Sequence, residues 1–191
     1  MTVKNIVLHI GLSKTGTSSI QNYIRDSLAQ LRTLGVSALI DNDWPHGLAK
    51  AINASDEAFK DKFKESLKSE ESENLIISSE YFEFMDEAKV RAVKSFLCDY
   101  QVTVVVYLKR QDKAIISMYN EEVKKGITLL DFREYCRQNW RRFDYCSLLQ
   151  KWSTAFGVEN MVVRPFDVNS FYNEDLLQDF FVLLVLISSQ K

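Results

Sequence analysis

Two prolines in 191 residues leave no proline-rich spacer, and no repeat, low-complexity tract or linker divides the chain. A single domain over 1–191 is the expectation, and that length buries a sizeable core without staples. The three cysteines, Cys98, Cys136 and Cys146, are an odd number at no metal-ligand spacing. They read as reduced thiols in a cytosol-like compartment. His9 and His46 also lack a partner at metal spacing, so no metal site is expected. A strong charge of one sign is missing too: the formal net charge is −2, which gives no reason to expect nucleic acid as a partner. Any anion must be held by local basic clusters. The opening MTVKNIVLHIG enters a strand directly, without a secretory signal, and FFVLLVLI at 180–187 is far too short to span a bilayer. A cytoplasmic protein without a transmembrane segment is expected.

What is present alternates. Residues 3–10 are strand-like, and 17–34 carry a helical stripe of Ile20, Ile24, Leu28 and Leu31 closed by Gly35. VSALI (36–40) reads as a second strand. Residues 55–73 read as a charged surface helix with Ser55 as its N-cap. NLIISS (74–79) and VTVVVYL (102–108) are continuous apolar runs, which suit strands buried on both faces of a parallel sheet. Helices are expected at about 86–98, 111–125, 128–138, 144–156 and 174–187, with a last strand at 161–165. The alternation predicts a three-layer αβα domain with a mainly parallel central sheet, like the P-loop nucleotide-binding folds. Ligands of such sheets bind at the carboxyl ends of the strands, where Gly11–Ser19, Ser78–Tyr81 and Lys109–Ser117 would meet.

The first of these stretches, GLSKTGTSS, carries the clearest chemistry. Gly11 at a strand end lets the backbone approach a ligand. The following N–H groups and a helix N-terminus then face an anion. Lys14 adds a mobile charge, and Thr15, Thr17, Ser18 and Ser19 flank Gly16 with hydroxyls. In the triphosphatase loop G-x-x-x-x-G-K-[ST] the lysine follows the second glycine, whereas Lys14 precedes Gly16 by two. The second stretch, YLKRQDKAIISMY, closes a buried strand with Lys109 and Arg110 and places Ser117 on the next helix. Strand end and serine are positioned to grip one phosphate from two sides.

Together the two stretches resemble the sulfotransferases that use 3′-phosphoadenosine 5′-phosphosulfate (PAPS). GLSKTGTSSIQ is similar to that family's 5′-phosphosulfate loop and YLKRQDKAIISMY to its 3′-phosphate segment. SSEYF (78–82) and DYCSLLQKWSTAFGVENMVVRPFD (144–167) are similar to bacterial members. The resemblance implies sulfuryl transfer to a hydroxyl or amine of a glycan, lipid or small molecule, releasing adenosine 3′,5′-bisphosphate (PAP) without a metal. Lys14 would act on the phosphosulfate, and either Lys109 or Arg110, with Ser117, on the 3′-phosphate. The family usually has arginine where Lys109 stands, and its members commonly run past the position of Lys191, so the chain is expected to lack the family's C-terminal part. For the general base the sequence nominates His46, in DNDWPHGLAK, ahead of Glu80. His9 reads as orienting the loop. Trp140, Arg141 and Arg142 offer contacts to a sulfated, acidic or sugar acceptor, although a solvated surface cluster is the simpler reading. A P-loop-type kinase would want the standard lysine position and an acidic Mg²⁺ ligand. An inactive nucleotide-binding remnant is the other alternative.

Overall fold

The computed structural model describes residues 3–39 and 46–188. Among them five strands form one parallel sheet: β1 (Asn5–Ile10), β2 (Val36–Ala38), β3 (Asn74–Ser79), β4 (Gln101–Leu108) and β5 (Met161–Pro165). Their order across the sheet is β2-β3-β1-β4-β5, and every pairing is parallel. The central three strands read as uninterrupted apolar runs because helices cover both of their faces.

Alternate residues of each strand serve opposite layers. Ile6, Leu8 and Ile10 of β1 join Leu75, Ile77, Val102, Val104 and Val106 on one face. That face is covered by α3 (Gly47–Ala54), α4 (Glu57–Ser69), α5 (Glu87–Phe96) and α8 (Tyr145–Phe156). Val7, Ile76, Val105 and Tyr107 face the other way. They meet α1 (Thr17–Asp26), α2 (Leu28–Thr33) and α9 (Leu176–Ser188). The three-layer α/β architecture is therefore as expected. Each fully buried Leu or Ile contributes roughly 1.5–3 kcal/mol, so the two cores dominate the stability. A smaller cluster of Ala114, Met118, Tyr135 and Phe143 packs α6 (Gln111–Lys124) against α7 (Phe132–Asn139).

Several boundaries differ from the sequence expectations for identifiable reasons. The stripe over 17–34 is two helices, broken at Ser27, and Gly35 ends it with φ 71°. Strand β2 stops at Ala38, and residues 40–45 lie outside the described residues. Ser55 does not cap α4. It closes α3 in the left-handed region at φ 55°, and Asp56 caps α4 by accepting from the Phe59 N–H at 3.0 Å. Helix α7 begins at Phe132 rather than near 128, because Asp131 takes the Glu134 N–H at 3.0 Å while Thr128 folds back onto the Leu130 N–H.

Strands β3 and β4 pair on opposite sides of β1, so the strand order reverses direction there. A crevice forms at such a switch point, outside the carboxyl ends of the strands. It is where the loop after β1 emerges.

Candidate functional site

Residues 11–16 wrap tightly at the end of β1. A Cβ on Gly11 would lie 2.4 Å from Thr17 Cγ2, so only glycine permits α1 to begin this close to the strand. Gly16 sits at φ 71°, and a Cβ there would meet Leu176 of α9 at 2.4 Å. Lys14 adopts φ 69° despite its side chain, a conformation that costs a non-glycine residue about 1–2 kcal/mol. That strain is held at the one lysine of the loop, as is common at functional sites. The hydroxyls divide into two sets. Thr15 and Thr17 both donate to the Leu12 carbonyl, at 2.8 and 3.2 Å, and shape the loop. Ser18 and Ser19 are exposed at the start of α1.

Two carboxylates from elsewhere grip this loop, and no local pattern signals either of them. Glu83, in the turn after β3, accepts from the Ser13 N–H and hydroxyl, both at 2.8 Å. Burial pushes the Glu83 pKa up, against the opposing pull of Ser13, Arg142 and Lys151. Glu121 of α6 pairs with Lys14 at 2.6 Å and also holds Lys125. Hydrogen bonds from Lys125 and Lys14 lower its pKa to about 2. Glu121 lies one turn beyond Ser117, so the same helix carries the serine of the second stretch and the partner of the loop lysine.

Beyond β4, Lys109, Arg110 and Lys113 line a cleft of about 610 Å³ together with Phe166 and Asp167. Lys109 Nζ lies 5.9 Å from the Phe166 ring centre, and a Cβ on Gly16 would approach the same ring to 3.2 Å. The cleft therefore abuts the loop. Arg110 is turned to Asp112 in an exposed pair that is readily given up. Ser117 is half-buried on α6 and does not line this cleft. Lys113 is a third cation that the sequence reading passed over; its place one turn into the helix after Lys109 was the available cue.

On the other flank of β1, the two candidate bases come together. His46 Nδ1 lies 2.9 Å from Ser79 Oγ and 3.6 Å from Glu80 Oε2, with the Tyr81 ring edge-on at 4.9 Å. Gln21 of α1 donates to Glu80 at 3.3 Å. His9 is fully buried, with Nδ1 2.9 Å from Ser78 Oγ, its register partner across the β1–β3 pair. Burial lowers the His9 pKa to about 4, so its ring is neutral near pH 7. Among the described residues no group of three His, Cys, Asp or Glu side chains is arranged to hold a metal ion. None of their helices is long and apolar enough to cross a membrane. A separate cleft of about 840 Å³ lies at the amino end of β3, lined by Glu70, Glu71 and Glu73, and its charge is wrong for an anion.

No family model matches the sequence. A stretch of 106 residues, 56% of this chain, is 30% identical to an uncharacterised protein of Archaeoglobus fulgidus, and it spans only 28% of that relative. Among solved structures, a sulfotransferase from Alicyclobacillus acidocaldarius superimposes with a TM-score of 0.56 at 16% identity, covering 87% of this chain and 74% of the other. A gluconokinase from Sinorhizobium meliloti 1021 aligns over 98% of this chain and 95% of its own at 11% identity, with a TM-score of 0.45, too low to bear on the argument. The chain thus shares its three-layer parallel fold with a sulfotransferase.

Proposed function

We propose that this protein is a nucleotide-dependent sulfotransferase that moves the sulfuryl group of PAPS to an acceptor hydroxyl or amine. One observation carries the reading. Strands β3, β1 and β4 are neighbours, and their carboxyl ends present side by side the His46–Glu80 pair, the glycine–lysine loop and the Lys109–Arg110 cleft. An in-line displacement wants the base on the acceptor side of the phosphosulfate loop, and the 3′-phosphate site anchors the nucleotide.

In the proposed step the acceptor oxygen forms a bond to sulfur as the bond from sulfur to the bridging oxygen breaks. The electron pair leaves with the 5′-phosphate, and the acceptor proton passes to the base. Like phosphoryl transfer, this needs positioning and electrostatics more than covalent help. Lys14 and the loop N–H groups would take the charge that builds on the leaving oxygen. His46 and Glu80 work best as a unit rather than as rivals. A carboxylate facing Nδ1 favours the tautomer with its proton on Nδ1, which leaves Nε2 to accept the substrate proton.

The test is PAP release from PAPS across a panel of alcohols, phenols and sugars, in the protein and in two variants. His46→Ala is expected to lower turnover roughly 10²-fold or more, the usual contribution of a general base. Glu80→Gln keeps the histidine and is expected to cost less. Full turnover in both variants would take the pair out of the chemistry. Phosphoryl transfer from ATP with Mg²⁺, without any use of PAPS, would replace the reading altogether.

A further inference from the structure

The loop after β1 stands between two clefts and lines one of them. On the β4–β5 side lies the one lined by Lys109 and Phe166. On the α8 side lies a second, of about 160 Å³, lined by Leu12, Glu83, Phe84, Leu148 and three cations, Arg141, Arg142 and Lys151. A space of that size takes one functional group rather than a whole ligand, since complete small-molecule sites run to roughly 300–1,000 Å³.

The cations there are not used up. Lys151 Nζ hydrogen-bonds to backbone oxygens, Met85 O at 2.5 Å and Glu83 O at 3.5 Å, and the Asp86 and Glu83 carboxylates act on it through space rather than in a contact pair. Burial lowers its pKa despite the opposing pull of Asp86 and Glu83, which marks the cost of keeping this ammonium half out of water. Arg141 is exposed and lies against the Trp140 ring at 5.6 Å, without a carboxylate partner among the described residues. Arg142 is the exception, paired with Glu122 at 3.0 Å and 6.0 Å from the Phe84 ring. The two acids of the cleft are engaged: Glu83 by Ser13, and Asp144 by the N–H and hydroxyl of Ser147 at 3.1 and 2.7 Å. Leu12 and the Ser13–Glu83 contact join the cleft directly to the loop that holds Lys14.

We infer that this second cleft is the acceptor subsite, and that it selects acceptors bearing an anionic group, a carboxylate or a phosphate or sulfate ester, near the hydroxyl to be modified. The inference rests on the sulfuryl-transfer reading for what is transferred, and on the cleft alone for the charge it selects. Trp140, Arg141 and Arg142 are then more than a solvated cluster: the segment is bound to α6 through Arg142 and Glu122 and presents its guanidinium groups beside the loop.

The experiment titrates the protein with D-glucose, D-glucuronate and D-glucose 6-phosphate, with and without saturating PAP, and follows binding by NMR. Both charged sugars are expected to bind at least about tenfold more tightly than glucose, the effect of one charge-assisted hydrogen bond. Whichever of the two binds better separates carboxylate from phosphate. Arg141→Gln, an exposed change that does not threaten the core, is expected to reduce the preference, and Lys151→Met to remove most of it. Equal binding of all three sugars, or a preference that survives both variants, overturns the inference. If PAP does not bind but the charged sugars keep their preference, the cleft stands and the nucleotide reading falls.

Discussion

Replacing Lys14 by alanine is expected to lower turnover of PAPS by roughly 10²–10³-fold, the loss seen when one preorganised transition-state donor is removed. The lysine stands at the end of the central strand on a loop whose threonine hydroxyls are committed to its own backbone. It is the loop's mobile charge. Its present partner is no obstacle: Lys14 and Glu121 side chains are 37% and 31% exposed, and a pair so exposed is worth about 0–1 kcal/mol. A phosphosulfate at the loop can therefore take the ammonium. Glu121→Gln is expected to strengthen PAPS binding by at most about fivefold, because that competition is weak. Lys14→Gly separates function from folding. Glycine accepts φ 69° without strain, so it should match the alanine variant in lost turnover while unfolding in urea no earlier than the parent. Turnover within a few-fold of the parent in both variants would remove Lys14 from the chemistry.

Asp179→Ala is expected to produce the largest loss of stability, about 2–3 kcal/mol in urea unfolding, the loss of hydrogen bonds to a buried carboxylate whose arginine partner is itself 34% exposed. Asp179 of α9 is 4% exposed. Its carboxylate accepts from Arg164 of β5, from the Tyr107 hydroxyl of β4 at 2.9 Å and from the Tyr172 N–H at 2.9 Å. Without it the Tyr107 hydroxyl is left unpaired, and Arg164 keeps the Ser170 carbonyl at 3.0 Å. Burial tends to raise the Asp179 pKa, but Arg164, the Tyr172 N–H and Tyr107 outweigh it and hold the value below the ordinary carboxylate range. The stabilisation is therefore present above about pH 4, the ordinary aspartate value, and is lost as pH falls through the lower folded value. Tyr107→Phe removes one hydrogen bond and should cost only about 1 kcal/mol. Equal stability of parent and Asp179→Ala at pH 7 would contradict this account of how α9 is fastened.

The sheet was legible because its signal is local. NLIISS and MVVRP are apolar runs with polar ends, and strands β3 and β5 occupy those residues. Helix starts were less so, since neighbouring Ser and Asp compete to cap, and only the path of the preceding helix decides between Ser55 and Asp56. Helix α3 carried no clear signal, as GLAKAINA is short, begins with glycine and follows no cap. At the site the same division holds. The glycine turn could be read from GLSKTGTSS, because Gly11 packs on Thr17 and Gly16 takes a positive φ within the stretch. Its partners could not: Ser13 meets Glu83 across 70 positions, and Glu121 and Lys151 arrive on helices α6 and α8. His46 and Glu80 looked like alternatives in sequence because nothing local showed that Ser79 brings them onto one spot.

The most direct test of the nucleotide reading is thermal unfolding with PAP, set against ADP, ATP with Mg²⁺ and adenosine 5′-monophosphate. A ligand that binds only the native state at 100 times its dissociation constant stabilises it by about 2.7 kcal/mol. For a domain of this size that raises the unfolding midpoint by roughly 5–10 °C. Such a shift is expected for PAP, with a much smaller one for each nucleotide lacking the 3′-phosphate. No shift with PAP in a chain that melts cooperatively, or a larger shift with ATP and Mg²⁺, would contradict the nucleotide reading.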